Sequence, residues 1–409
     1  MKKVLGNFLN LTLLQLSTMV AQILTYPYLN RTLGSEIYGE IILQQIIVFH
    51  LQMIVFFGTD LSVVRLAAKY STSYKKLKIL VSKIILGRFY ISLIISLSYV
   101  IYIYCSGLND WFYFFVFSIF EAVITLRWFY HGIQQLNKFT LPFCLVRFLG
   151  VLLLFIFVNT QDDWYKVIII TVLSSLLSVI VSFYSYYVKY NLTYIKFRQI
   201  YIIFSDSFSL FATNIVSVIK DRSGGIFISY FMGTSSLVYY DFCMKIVGVI
   251  SSITSSISAS LYPMFSGNYN HSTFKRYNLL ILLFSIIPFI ITLLADKYVI
   301  LLIDYIFSIN IFDIKLLLPV FGFMIFVRSH GYFIGLCYLM ALNYKKSYAS
   351  SLIYSGMFYL FFMSGMIFLG YKNILTLAVG LSLSLLLEYF HRIYKFISIR
   401  KNANESHAE

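Results

Sequence analysis

The sequence predicts an all-α polytopic membrane protein with about 12 transmembrane helices in two six-helix lobes and with cytoplasmic N- and C-termini. Three observations predict it. Of 409 residues, 60% are hydrophobic and only 12% are charged, whereas soluble domains run near 25% charged. Apolar runs long enough to cross a bilayer recur along the whole chain. Lys and Arg collect on alternate connections between those runs, the asymmetry that orients membrane proteins. The net charge of +16 is read as that orientation signal and as a surface for anionic membrane lipids. It does not point to nucleic acid. Aromatic content of 19%, beside abundant Ile and Lys, is also what AT-rich coding produces, so it carries no functional weight.

The spans are expected at 8–30, 39–64, 84–105, 112–134, 141–159, 167–188, 203–230, 239–265, 278–295, 313–341, 347–369 and 374–394. Residues 1–199 would form the N-lobe with spans 1–6, 200–396 the C-lobe with spans 7–12, and 397–409 a cytoplasmic tail. Lys2 and Lys3 precede an apolar run as in a signal peptide, yet no small-residue cleavage site follows. That run reads as an uncleaved first span. The segment 296–312, with Asp296, Lys297 and Asp304 among Ile, Leu and Phe, reads as a short amphipathic surface helix. All five prolines lie in or at the edge of spans, and Pro27 and Pro288 are placed to bend theirs. The four cysteines are far apart and fit no metal or redox spacing. No polar interval is long enough for a catalytic domain outside the membrane.

With the N-terminus inside, the cytoplasmic flanks hold 21 Lys and Arg against 5 on the other side, with six more inside spans. Arg88 and Arg392 are counted among the flanks. Acidic residues agree, with Asp110, Asp162 and Asp163 on the outer side.

Span 1 is followed by Leu33-Gly34-Ser35-Glu36-Ile37-Tyr38-Gly39, and span 7 by Gly233-Thr234-Ser235-Ser236-Leu237-Val238-Tyr239-Tyr240. Gly34 and Gly233 stand half a chain apart, which suggests two six-span halves of the same sense. At 100° per residue, Asn7, Asn10, Gln15, Thr18, Gln22 and Thr25 of span 1 share an arc of about 140°. So do Asp206, Ser209, Thr213, Asn214, Ser217, Lys220 and Asp221 of span 7, and span 2 shows the pattern through Glu40, Gln44, Gln52 and Thr59. Such stripes face other helices or a hydrated cavity, never lipid. Interhelical hydrogen bonding is the plainer account; the number of polar residues on span 7 favours the cavity.

These landmarks resemble the opening of Wzx-type polysaccharide flippases: Asn10, Gln15 and Pro27, then Leu33 to Gly39. Those flippases belong to the multidrug/oligosaccharidyl-lipid/polysaccharide (MOP) exporter superfamily. Asp221-Arg222, the Gly233 turn and Ser260-Leu261-Tyr262-Pro263-Met264-Phe265-Ser266 look like the matching landmarks of the second half. Val238 departs from the pattern, standing where a second Gly often precedes the Tyr pair. The resemblance implies a MOP/MATE-like fold whose lobes enclose a cavity that opens to each side in turn. It implies a polyprenyl-diphosphate-linked oligosaccharide moved between leaflets of the bacterial cytoplasmic (inner) membrane, for O-antigen or capsule. Implied partners are a polysaccharide polymerase and a chain-length regulator, besides membrane lipids.

A diphosphate needs cations, and sugar hydroxyls need amide-type donors. The cavity candidates are therefore Lys220, Arg147, Arg222, Arg328, Asn10, Gln15, Gln22, Gln52 and Asn214. For Lys220 the competing account is an ion pair with Asp221; Lys245, four residues after Asp241, has the spacing of a helical pair. Ion-coupling candidates, for H⁺ or Na⁺, are Glu121, Asp221 and Asp60, with Glu121 set against pairing to Arg127 or Arg147. Asp206 and Glu388, nearer the cytoplasmic ends, are weaker. No catalytic residue, metal site or resident cofactor is expected, since no phosphate-binding loop, nucleophile elbow or metal spacing is present. The alternatives are a lipid II flippase or drug/cation antiporter of the same superfamily, then a membrane polymerase or glycosyltransferase.

Overall fold

A computed structural model describes residues 2–267, 269–307, 315 and 317–405. Its helices, in chain order, are α1 (Lys2–Leu33), α2 (Ser35–Phe56), α3 (Thr59–Ser62), α4 (Val64–Lys69), α5 (Tyr74–Ser106), α6 (Phe115–Ile124), α7 (Arg127–Gly132), α8 (Asn137–Phe157), α9 (Trp164–Tyr190), α10 (Phe197–Met232), α11 (Thr234–Gly267), α12 (His271–Leu294), α13 (Asp296–Phe307), α14 (Leu317–Ile334), α15 (Lys345–Phe368) and α16 (Ile374–Glu405). Among the described residues, 11 helical stretches are long and apolar enough to cross a membrane. The expected first span lies in α1 and stands outside that count. α13 is the expected short helix after span 9; residues 308–314 of that segment lie outside the described residues.

The chain forms two compact units, Met1–Ile215 and Val216–Glu409, with the boundary inside α10. In the first unit α8 packs on α1 and α9, while α6 packs on α2, α5 and α9. In the second, α14 packs against α11, α12 and α16, and α15 against α16. The faces left over are apolar, as lipid-facing surfaces must be: Ile94, Leu97 and Tyr104 on α5, and Leu145, Leu149, Leu152 and Ile156 on α8, are exposed.

Two expected spans are broken. Span 2 is expected to run unbroken over 39–64, but α2 ends at Phe57 (φ 47°) and Gly58 (φ 69°), and the short helices α3 and α4 follow. Gly58 is required twice over. Its φ is left-handed, and a Cβ there would lie 2.6 Å from the Phe211 amide nitrogen and 2.9 Å from the Ser207 carbonyl. Span 4, expected over 112–134, breaks at Thr125 (ψ 113°), and α7 resumes after Leu126. Apolar residues continue past both breaks, so neither reads as the end of a span. Only Gly58 marked one of them. A third irregularity follows α14, where Gly335–Met340 widens into π-helical turns.

Candidate functional site

Each unit holds a buried charge network, and each is built on a residue that the sequence had placed at a membrane flank. Arg88 lies well inside α5 and is fully buried. Its Nη2 meets Asp60 Oδ1 at 2.7 Å and donates to Thr59 Oγ1 at 2.7 Å, to which Nε also donates at 3.0 Å. Its Nη1 donates to the Ala122 and Thr125 carbonyls at 3.1 and 3.2 Å. All five N–H groups of the guanidinium are thus engaged. The two carbonyls are those that the break in span 4 would otherwise leave unpaired. Phe56 covers the guanidinium, 5.0 Å from its ring centroid. The second oxygen of Asp60 lies 3.9 Å from Arg127, whose side chain is 54% exposed.

In the second unit Lys220 and Arg392 share Glu388. Lys220 Nζ meets Glu388 Oε2 at 2.5 Å and donates to Ser355 Oγ at 3.2 Å. Arg392 Nη2 meets Glu388 Oε1 at 2.6 Å, one turn along α16. Arg392 Nε donates to Ser351 Oγ, and its Nη1 to the Gly331 carbonyl just before the π-helical turns. Tyr348 covers this guanidinium, 4.8 Å away. All three charged side chains are at most a tenth exposed. Two cations on one carboxylate leave the site net positive, tolerable only because serine hydroxyls and a carbonyl take the remaining hydrogens.

These placements correct several expectations. Lys220 pairs with Glu388 and not with its neighbour Asp221, because successive residues on a helix point about 100° apart. Asp221 instead accepts from Arg328 Nη2 at 3.0 Å. Arg88 and Arg392 leave the flank tally, which becomes 19 against 5 with its direction intact. Glu388, the weaker ion-coupling candidate, is the carboxylate that Lys220 and Arg392 share. The stripe on span 2 proves to be interhelical glue: Gln44 is bonded by the Tyr99 and Tyr102 hydroxyls, Gln52 Nε2 donates to the Ser118 carbonyl at 2.7 Å, and Thr59 serves Arg88.

The span 7 stripe is different. Asp206 and Ser209 are exposed, Thr213, Asn214, Ser217 and Asp221 half-buried, and of its members only Lys220 is buried. Arg222 is exposed beside it. On α1, Asn10 and Gln22 are half-buried and Gln15 is exposed. Glu121 lies within electrostatic reach of Arg147, whereas Arg127 goes to Asp60. The Lys245–Asp241 pair forms as its spacing implies. Near Asp221 the polar groups are tight: a Cβ on Gly224 would lie 2.7 Å from the Tyr240 hydroxyl and 3.2 Å from that of Tyr359. Asp221 Oδ1 and the Tyr240 hydroxyl are buried and make no hydrogen bond to a described residue. Among the described residues, no three His, Cys, Asp or Glu side chains converge. The signal that sequence reasoning lacked for Arg88 and Arg392 was depth. Both helices run well past the apolar windows that defined the spans, α5 from Tyr74 and α16 to Glu405.

Residues 4–269 match the protein family described as "Polysaccharide biosynthesis protein". A stretch of 163 residues is 29% identical to a protein of Escherichia coli strain K12 called "Putative O-antigen transporter". That stretch is 38% of this chain and 39% of the relative, so the match spans about two fifths of the relative's length. In three dimensions the chain is similar to the lipid II flippase MurJ in an inward closed conformation. The TM-score is 0.73 at 15% identity, over 94% of this chain and 87% of that one. It is also similar to an inward-facing multidrug resistance MATE transporter, with a TM-score of 0.64 at 13% identity over 96% and 99% of the two chains. A MOP superfamily transporter from Pyrococcus furiosus gives 0.60 at 13% identity over 96% of each. The expected MOP/MATE-like fold is the fold the chain adopts.

Proposed function

Because the chain belongs to the polysaccharide biosynthesis protein family, we propose that it is a Wzx-type flippase of the bacterial inner membrane. Its cargo is a polyprenyl-diphosphate-linked oligosaccharide repeat unit, carried from the cytoplasmic to the outer leaflet by alternating access, for O-antigen or capsule. The family match over residues 4–269 carries this reading. Physics supports it: a diphosphate and a sugar chain cannot cross about 30 Å of hydrocarbon unaided, since each unpaired polar group costs several kcal/mol. The half-open face of α10 offers what such a head group requires, with Asn214 and Ser217 as hydrogen-bonding groups and Arg222 and Arg328 as accessible cations. The lipid tail stays in the bilayer. The N-terminus lies in the cytoplasm, as the basic flanks require.

The driving force in this reading is an ion gradient. H⁺ or Na⁺ is taken at Asp221, whose buried Oδ1 makes no hydrogen bond to a described residue. A polymerase and a chain-length regulator would receive the product.

Deletion tests the reading. Lipid-linked repeat units should accumulate on the cytoplasmic face, and the intact gene should reverse this. Normal surface polysaccharide in a deletion strain with no second flippase would refute it.

A further inference from the structure

One corner of the first unit collects cations from three helices. The first turns of α5 hold Lys75, Lys76, Lys78 and Lys83. The end of α9, the connection after it and the start of α10 hold Lys189, Lys196 and Arg198. Other side chains bring the two groups together. The Tyr74 hydroxyl donates to the Lys189 and Tyr190 carbonyls at 2.9 and 3.3 Å, and the Tyr74 and Tyr190 rings stack with centroids 5.0 Å apart. Farther along α5, Ser82 Oγ accepts from the Thr193 amide at 3.1 Å, and the Tyr90 ring meets that of Phe197 at 6.2 Å. The first half of α5 therefore runs along the end of α9 and the start of α10.

These cations are not spent inside the protein. Residues 61–109 and 164–205, which supply the whole corner, contain no Asp or Glu. Among the described residues, none of the seven makes an ion pair. The last carbonyls of a helix are a usual partner for lysine, but here the Tyr74 hydroxyl takes those of Lys189 and Tyr190. Lys76 and Lys189 lie over the Tyr70 and Tyr190 rings, which leaves ammonium hydrogens to donate. Lys78 and Lys83 are half-buried and the other five are exposed. Seven like charges held together repel one another, and an anion from outside relieves that repulsion.

The surroundings select the anion. Exposed aromatic rings border the corner, among them Tyr187, Tyr194, Phe197 and Tyr201. Such a belt sits at the level of lipid head groups. Beyond it α5 exposes Leu93, Ile94 and Leu97, and α9 exposes Leu173, Leu177 and Ile180, as hydrocarbon requires. Six of the seven cations are lysines, point charges on flexible stems. They suit a fluid layer of exchanging phosphates better than one diphosphate held in a fixed fork. We infer that this corner is a binding surface for the anionic phospholipids of the cytoplasmic leaflet, with phosphates on the lysines and acyl chains along α5 and α9. The net charge says only that anionic lipid is favoured somewhere; the contacts between α5, α9 and α10 say where. The inference rests on the cytoplasmic placement of the basic flanks and is independent of the cargo.

Energy transfer tests this in phosphatidylcholine vesicles holding the full-length chain. Trp128 is the donor, because its ring lies against Phe129, which packs in turn on Tyr190 of the corner. Trp111→Phe and Trp164→Phe remove the other two tryptophans. The acceptor is a dansyl group on the tail of phosphatidylglycerol, doped into the vesicles. Transfer should exceed that to equally doped tail-dansylated phosphatidylcholine by about twofold, and salt at about 0.5 M should remove the excess. Lys75→Gln, Lys76→Gln, Lys189→Gln and Lys196→Gln together should abolish the excess, whereas Arg at the same four positions should keep it. Lys275→Gln, Lys345→Gln and Lys346→Gln, exposed cations of the second unit, should also leave it in place. An excess that survives the fourfold Gln change, or that falls as far in the second-unit variant, would overturn the surface. Farnesyl diphosphate added at one per chain should not displace the labelled phospholipid. Displacement at that ratio would overturn the phospholipid assignment in favour of a polyprenyl diphosphate. No export is read, so a failure of the flippase reading would show only in the deletion strain.

Discussion

The two units solve the same problem, a buried guanidinium, in opposite ways. In the first, Arg88 has one carboxylate and gives most of its hydrogens to backbone and hydroxyl oxygens at two helix breaks. Its carboxylate, Asp60, is 19% exposed and has a second cation in reach. In the second, Glu388 is buried and must neutralise two buried cations from α10 and α16. The first network is local and partly wet, and it organises backbone. The second is dry and ties together α10, α15 and α16 through side chains. The difference teaches where each unit can yield: the first has slack at Asp60, whereas the second has none at Glu388.

The largest effect follows directly. Glu388→Gln leaves Lys220 and Arg392 both buried without a counter-charge, and should cost about 3–5 kcal/mol. Thermal aggregation of the detergent-solubilised protein should show the largest fall in midpoint of any single substitution here. Removal of one cation should rescue it in part: Lys220→Met added to Glu388→Gln should recover some of the loss. A double variant no better than the single one would mean that the two cations are not coupled through Glu388. Arg88→Ala comes next, at about 2–4 kcal/mol, because the Ala122 and Thr125 carbonyls lose their donor while Asp60 can still turn to Arg127 or water. If Arg88→Ala destabilised more than Glu388→Gln, the contrast between a wet and a dry network would be reversed.

Much of this contrast was hidden from the sequence, for identifiable reasons. Composition, apolar runs and the Lys/Arg asymmetry are summed properties, and they made the fold class legible because membrane insertion itself responds to sums. Single residues were less legible. Arg88 and Arg392 sit where apolar windows fade, so they looked like flanking anchors, and only the helices' overrun shows their depth. The span 2 stripe and the span 7 stripe look alike on a helical wheel. What separates them is the neighbours: Tyr99, Tyr102 and the Ser118 carbonyl consume the first, and those partners are 55 to 66 residues away in sequence. The Lys245–Asp241 pair was legible because it is local.

Lys220→Met sharpens the comparison from the other side. Glu388 keeps Arg392 and Ser355, so the stability loss should be only about 1–3 kcal/mol. Export should nevertheless fall, while Lys275→Ala, on an exposed face of α12, leaves it unchanged at equal expression. Equal effects of the two substitutions on export would remove Lys220 from the transport machinery.

The smallest effect on stability belongs to Arg127, and there the two measurements should part. Its side chain is more than half exposed and its contact with Asp60 is long, so Arg127→Ala should change stability by no more than about 0–1 kcal/mol. Asp60 keeps its close partner, Arg88. If unit 1's slack matters for transport, Arg127 is the group free to exchange Asp60 for an anion on the cargo, and the variant should export poorly while melting like the unaltered protein. Arg127→Lys should restore export in part, since a point charge suffices for a phosphate but lacks the fork. A variant that exports normally would place the anion-handling cations elsewhere, among Arg147, Arg222 and Arg328. It would leave the Asp60–Arg127 contact as a clasp within the packed ends of spans 2 and 4.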